Sequence, residues 1–194
     1  MENVSKVTAT AILANDHRTI EKVIPAMSMV ADNAEQGRLL DISILRDLIL
    51  FLRIFAEECQ TAKEERGLFP ALEAKNVLPA GCTVAVLKDE HQRAASLTKE
   101  LLAALDAYTS GGYASSQGIL ISTLRSLAAL YREHIWKEDH ILLPIAEKVL
   151  SRKEQDVLCE TFQRTESSIN ADELAARIEQ HARRCVCHMG QVLI

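Results

Sequence analysis

His134 and Glu138 stand four residues apart, so on a helix both project from one face and can hold one cation together. A carboxylate offers two oxygens and can bridge two cations, whereas an imidazole binds one terminally and is oriented through its other ring nitrogen. Such donors suit iron, manganese or zinc. His91 lies 43 positions before His134, and Pro144 lies six after Glu138. The same order recurs 74 positions earlier as His17, Gln60, Glu64 and Pro70. Lys63 matches Lys137 at that offset, Glu65 matches Asp139, Leu68 matches Leu142 and Asp16 matches Glu90. A single His-x-x-x-Glu is a weak signal, because such pairs are commonly exposed and worth about 0.2–0.5 kcal/mol. Two copies, each with the same upstream and downstream spacing, point to a metal centre. One imidazole is missing from it: Gln60 stands where the second copy has His134.

The elements that must position these residues read as helices. Apolar residues recur at threes and fours from about Thr8 to Glu35, with Pro25 inside the pattern and Gly37 as a stop. A second helix, capped by Asp41 or Ser43, extends to about Glu65, where Gly67 and Pro70 are expected to break it. Leu68 to Cys82 reads as a connector with room for one short helical turn. A third helix covers about Val84 to Tyr108, before Ser110-Gly111-Gly112. The fourth opens at Ser115 or Ser116 and reaches about Asp139, and Pro144 marks a turn or a new first helical turn. Two further helices follow, Ser151 to Ser168 and Ala171 to about Arg184. The expected architecture is all-α: an up-down-up-down antiparallel four-helix bundle over 1–150 with an internal two-fold repeat, and a helical extension over 151–194.

Composition agrees with that class. Of 194 residues, 48% are hydrophobic, 25% charged and only 4% aromatic, a mixture that supports a helical core and disfavours a sandwich or barrel. The net charge of −5, with no compensating basic cluster, gives no attraction for nucleic acid. No apolar run approaches the roughly 20 residues that span a bilayer, and Met1 to Thr10 lacks the apolar core of a signal peptide. A soluble, cytoplasmic protein, free to form a homo-oligomer, is the default expectation. Its five cysteines are odd in number and irregularly spaced, and read as reduced thiols. No nucleophilic triad, phosphate loop or dinucleotide fingerprint is present in the sequence. A dedicated enzyme is therefore not the leading expectation, although oxidase, peroxidase or NO-handling chemistry fits the donor set.

The strings NDH at 15–17, KEERGLFP at 63–70, DEH at 89–91 and HIWKEDHILLP at 134–144 resemble the hemerythrin-like, or HHE cation-binding, family. The resemblance covers approximately residues 9 to 150. It implies a non-haem di-iron centre with carboxylate bridges and an open coordination position. On this sequence it makes His17, His91 and His134 terminal ligands and Glu64 and Glu138 bridging ones. It further implies an interaction with O2, NO or peroxide in sensing, storage or stress response.

Gln60 departs from the family pattern, which has His there. An amide oxygen is a neutral and weaker donor to iron(II) than imidazole. Three outcomes follow, in order of expectation: a di-iron site completed by Gln60 or water, an asymmetric site with one weak metal, or a bundle that has lost its metal. Glu57, three residues before Gln60, and its counterpart Tyr131 read as a surface acid and a bundle-core aromatic rather than as ligands. Lys63 and Lys137 read as solvent-facing. Cys59 points about 100° from Gln60 around the helix and reads as packing. His181, Cys185 and His188 share one helical stripe, with Cys187 beside it, and offer zinc-like donors. The competing functional class is a helical interaction or regulatory module with a partial or vestigial metal site, in which that C-terminal cluster does the work.

Overall fold

The computed structural model describes residues 7–79, 82–166 and 168–187, and every regular element among them is helical. Helix α1 spans Ala9–Glu35, begun by the Thr8 side chain accepting from the Ala11 N–H and continuing through Pro25. Asp41 caps α2, Ile42–Phe51, in the same way through the Ser43 N–H. The chain then stays helical but widens. A π-helical stretch, π1, covers Leu52–Thr61, and a second, π2, covers Glu64–Leu68 before α3, Phe69–Glu73. After a connection come α4, Val84–Thr109, capped by Thr83, and α5, Tyr113–Lys137. The turn between them uses Gly111 at φ 103°, a value glycine adopts without a Cβ penalty. A third wide turn, π3, Glu138–Leu142, leads into α6, Leu143–Val149. Helix α7, Arg152–Gln163, opens with a capping box between Ser151 and Glu154, and α8 spans Ala171–Cys187.

The expected break at Gly67 and Pro70 does not occur. In an α-helix a proline ring clashes with the carbonyl four residues back and removes an N–H from the ladder. Here the residue before each proline reaches five back instead: Phe69 N–H donates to the Glu64 carbonyl, and Leu143 N–H to the Glu138 carbonyl. Pro70 and Pro144 then fall in the first turn of α3 and α6, where a missing N–H costs nothing. Gly67 has its own reason. A Cβ there would lie 2.8 Å from the Phe162 ring of α7.

Helix α1 packs along α5, α4 along α5, and α8 along α1 and α2. Two apolar clusters result. One holds Ile20, Phe55, Cys59, Ala94, Tyr131 and Ile135 and extends to Leu174 and Ile178 of α8. The other holds Leu13, Leu68, Phe69, Leu87 and Leu142 and extends to Leu158 and Phe162 of α7. On each long helix the switch from one cluster to the other falls at the chemistry-bearing residues: His17, Gln60 with Glu64, His91, and His134 with Glu138. The helices thus present one buried polar layer between two dry ones. Among the described residues no helix is long and apolar enough to cross a membrane.

Candidate metal centre

The structure brings all six sequence-designated residues into that layer. His17, Gln60, Glu64, His91, His134 and Glu138 are each at most 8% exposed, and the two glutamates are fully buried. Glu64 offers one oxygen to each side: Oε1 lies 3.5 Å from His17 Nε2, and Oε2 lies 3.2 Å from His91 Nε2. Glu138 Oε2 lies 3.2 Å from His17 Nε2 and 3.3 Å from His134 Nε2. His91 and His134 bring their Nε2 atoms within 3.0 Å of each other. Donor atoms from Glu64, His91, His134 and Glu138 all lie within 4.8 Å of one another. His17 reaches the same two carboxylates without belonging to that group of four, and Gln60 Nε2 lies 3.2 Å from His17 Nε2.

The tautomers follow from the partners on the far side of each ring. His17 Nδ1 is 2.7 Å from Asp139 Oδ1, His91 Nδ1 is 2.8 Å from Glu65 Oε1, and His134 Nδ1 is 2.9 Å from Glu90 Oε2. A carboxylate accepts, so each Nδ1–H donates and each Nε2 turns its lone pair inward. Phe69, stacked on His91 with ring planes 6° apart, fixes that ring further. The sequence alone does not assign these orienting carboxylates. It does carry their trace, because Glu65 with Asp139 and Asp16 with Glu90 obey the 74-residue offset.

Lys63 and Lys137 correct the expectation of solvent-facing lysines. Lys63 Nζ is buried and lies 2.7 Å from Asp16 Oδ2, and Lys137 Nζ pairs with Glu90 Oε1. The two pairs match at the 74-residue offset, but Glu90 also holds His134, whereas Asp16 has only Lys63 as its side-chain partner in these contacts. The electrostatics register the difference. Burial raises both carboxyls, yet His134 and Lys137 bring Glu90 down to about 2, while Lys63 does not offset burial at Asp16, which stays raised.

Whether these residues fit a cation is decided by the inner carboxylates. Among the described residues, all four buried oxygens of Glu64 and Glu138 lack a hydrogen-bond partner as long as the imidazole Nε2 atoms facing them carry lone pairs rather than protons. A buried carboxylate left so costs several kcal/mol, and lone pairs from three imidazoles converge on the same space. Burial opposes charge on His17, yet Asp139, Glu138 and Glu64 hold its pKa well above 6.5. Burial likewise opposes charge on His91, while Glu64, Glu138 and Glu65 carry it up to about 9. A field that draws protons onto Nε2 draws cations there too. The six carboxylates Asp16, Glu64, Glu65, Glu90, Glu138 and Asp139 face the fixed cations Lys63, Lys137 and Arg18. Six carboxylates against three fixed cations leave a net negative site that a divalent ion would offset. The residues fit.

Other sequence candidates lie elsewhere. Tyr131 is a core aromatic whose hydroxyl is pushed up by burial and then by nearby Glu57, and Glu57 is part-exposed. Cys59 packs in the first apolar cluster. His181 Nε2 lies 2.7 Å from Asp41 Oδ2, which ties α8 to the cap of α2. The side chains of Cys185 and Cys187, and His188, lie outside the described residues.

A helical fold that gathers buried imidazoles and carboxylates between its helices is the arrangement of a metal-binding protein. Residues 8–146 match the family described as hemerythrin HHE cation binding domain. The chain belongs to that family. It is also similar to three uncharacterized mycobacterial proteins: Mb2018 of Mycobacterium bovis, and MT2051 and Rv1995 of Mycobacterium tuberculosis. Each is 26% identical over 157 residues, which cover 81% of this chain and 60% of the relative. The match thus spans under two thirds of those relatives' length. No solved structure matches the chain.

Proposed function

We propose that this protein is a non-haem di-iron protein that interacts with O2, NO or peroxide in sensing, storage or stress response. The observation that carries the reading is the set of four donor-less, buried carboxylate oxygens facing three oriented imidazoles. Helix packing of α1 on α5 and α4 on α5 supports an up-down-up-down four-helix bundle as the scaffold. His17 would hold one ion and His91 with His134 the other, with Glu64 and Glu138 shared between them. Bound iron(II) supplies electrons to a small oxidising ligand. The chain's own contribution is to hold the donors in place through Asp139, Glu65 and Glu90. It also keeps bulk water out with the apolar layers on either side.

The groove beside the His17 side is lined by the residues that orient it. Asp139 and Arg18 line a groove of about 840 Å³ between α1 and α5, together with stacked Trp136 and His140. Metal analysis of protein purified without oxygen, with an optical spectrum before and after air or NO, tests the proposal. About two irons per chain and new charge-transfer bands are expected. Absence of metal, with no thermal stabilisation on adding iron(II), would leave the helical interaction module as the better reading.

A further inference from the structure

We propose that the two halves of the centre are chemically different cation sites that fill in order. The His91–His134 half takes the first ion, and the His17–Gln60 half takes the second more weakly, favouring hard divalent ions such as manganese(II). This rests on the metal-binding reading above and assigns a preference to each half.

The first half presents two imidazole nitrogens 3.0 Å apart, with Glu64 Oε2 and Glu138 Oε2 beside them. Both rings are oriented by carboxylates, Glu65 for His91 and Glu90 for His134. The second half presents one oriented imidazole, His17, beside Glu64 Oε1 and Glu138 Oε2. Its remaining side chain is the Gln60 amide. Imidazole favours zinc, copper, nickel and iron, whereas carboxylate and carbonyl oxygens favour manganese, magnesium and calcium. An oxygen-rich half beside a nitrogen-rich one therefore sorts ions by hardness.

Two features weaken the second half further. The Gln60 amide nitrogen stands 3.2 Å from His17 Nε2, the atom a cation needs, and its N–H donates there when the ring is neutral. Binding breaks that hydrogen bond and turns the amide to offer Oε1. Asp16, the counterpart of the Glu90 that orients His134, pairs with Lys63 and has no imidazole at position 60 to orient. A ligand without such an orienting partner typically binds its metal about 10–100-fold more weakly. The backbone differs as well: Gln60 sits in the ten-residue π1 stretch, whereas His134 sits on the regular α5.

The test titrates chelator-stripped full-length protein under argon with iron(II), zinc(II) and manganese(II), singly and in pairs. Bound metal is counted by mass spectrometry, and free manganese is followed by its electron paramagnetic resonance. Two steps are expected, the second at least about 10-fold weaker, with manganese competing better for the second than for the first. Gln60→His should tighten the second step toward the first and remove the manganese preference. Gln60→Ala should weaken the second step and leave the first unchanged. Melting curves check that each variant folds, and if Gln60→His does not, Gln60→Ala decides. Two equal steps in the unaltered protein, a single ion at saturation, or a second step indifferent to Gln60→Ala would overturn the proposal while leaving metal binding intact. No binding of any ion would overturn both.

Discussion

Chelated and metal-loaded protein should respond to pH in opposite directions between about 6.5 and 9. Against the pull of burial, Glu64, Glu138 and Glu65 raise His91 from 6.5 to about 9, and Asp139, Glu138 and Glu64 raise His17 well above 6.5. A histidine whose folded pKa exceeds its unfolded one stabilises the fold fully below the unfolded value. That contribution is lost as pH rises through the folded value. For His91 alone the shift corresponds to about 3 kcal/mol, and His17 adds in the same direction. In a domain of this length about 1 kcal/mol moves the melting temperature by about 2–4 °C. Protein in excess chelator should therefore melt about 6–12 °C lower at pH 9 than at pH 6.5. A cation competes with those protons for the same Nε2 atoms, so its stabilising increment should grow over the same window. Thermal melts at half-unit pH steps, with and without bound metal, measure both slopes. His91→Gln should flatten the chelated curve. A chelated melting temperature that is flat or rises with pH, or an increment that shrinks, would refute this arrangement of charges around the imidazoles.

The remaining predictions concern the supports of the site. Glu90→Gln, which leaves His134 Nδ1 without its carboxylate, should weaken the first metal step about 10–100-fold while the helical content by circular dichroism is unchanged. An unaltered first step would show that His134 is oriented by its packing alone. Gly67→Ala drives a methyl to 2.8 Å from Phe162 and should cost about 1–3 kcal/mol in denaturant unfolding, through the docking of α7. Ile178→Ala empties a fully buried position in α8 and should cost about 2–5 kcal/mol without changing metal stoichiometry. Loss of metal in that variant would make α8 part of the site rather than a brace.

The convergence of these histidines and glutamates in one buried layer is legible in the sequence because its spacing is set by helix geometry: four residues place a His and a Glu on one face, and the 74-residue offset repeats the pattern. Long helices are legible for the same reason of period. What sequence reasoning misses depends on which residue meets which across helices. Lys63 and Lys137 look like ordinary exposed lysines, and only the packing of α1 beside π1, and of α4 beside α5, turns them onto Asp16 and Glu90. The continuous helix through Gly67 and Pro70 escapes it because proline rules presume an α-helical ladder. A π turn changes which carbonyl the next N–H reaches, and the sequence carries no separate signal for it.

Asp16 and Lys63 explain how an imidazole can be absent without the site falling apart. A buried ammonium with its carboxylate removed is an unpaired charge costing about 3–5 kcal/mol, so each of the pair keeps the other in place whatever position 60 carries. Their presence says little about metal. Gln60 says more. It is 2% exposed in a layer flanked by apolar clusters, where leucine would pack without needing a partner. An amide there must find hydrogen bonds or a cation, and the groups within its reach include the lone pair of His17. A glutamine that serves His17 alone gains about 0.5–1.5 kcal/mol for its hydrogen bond, and burying its amide costs about as much. Beside two donor-less carboxylates the same side chain gains a second use, because its oxygen completes the set that a hard cation would meet. The energetic case for Gln60 therefore lies in what the second half of the centre binds.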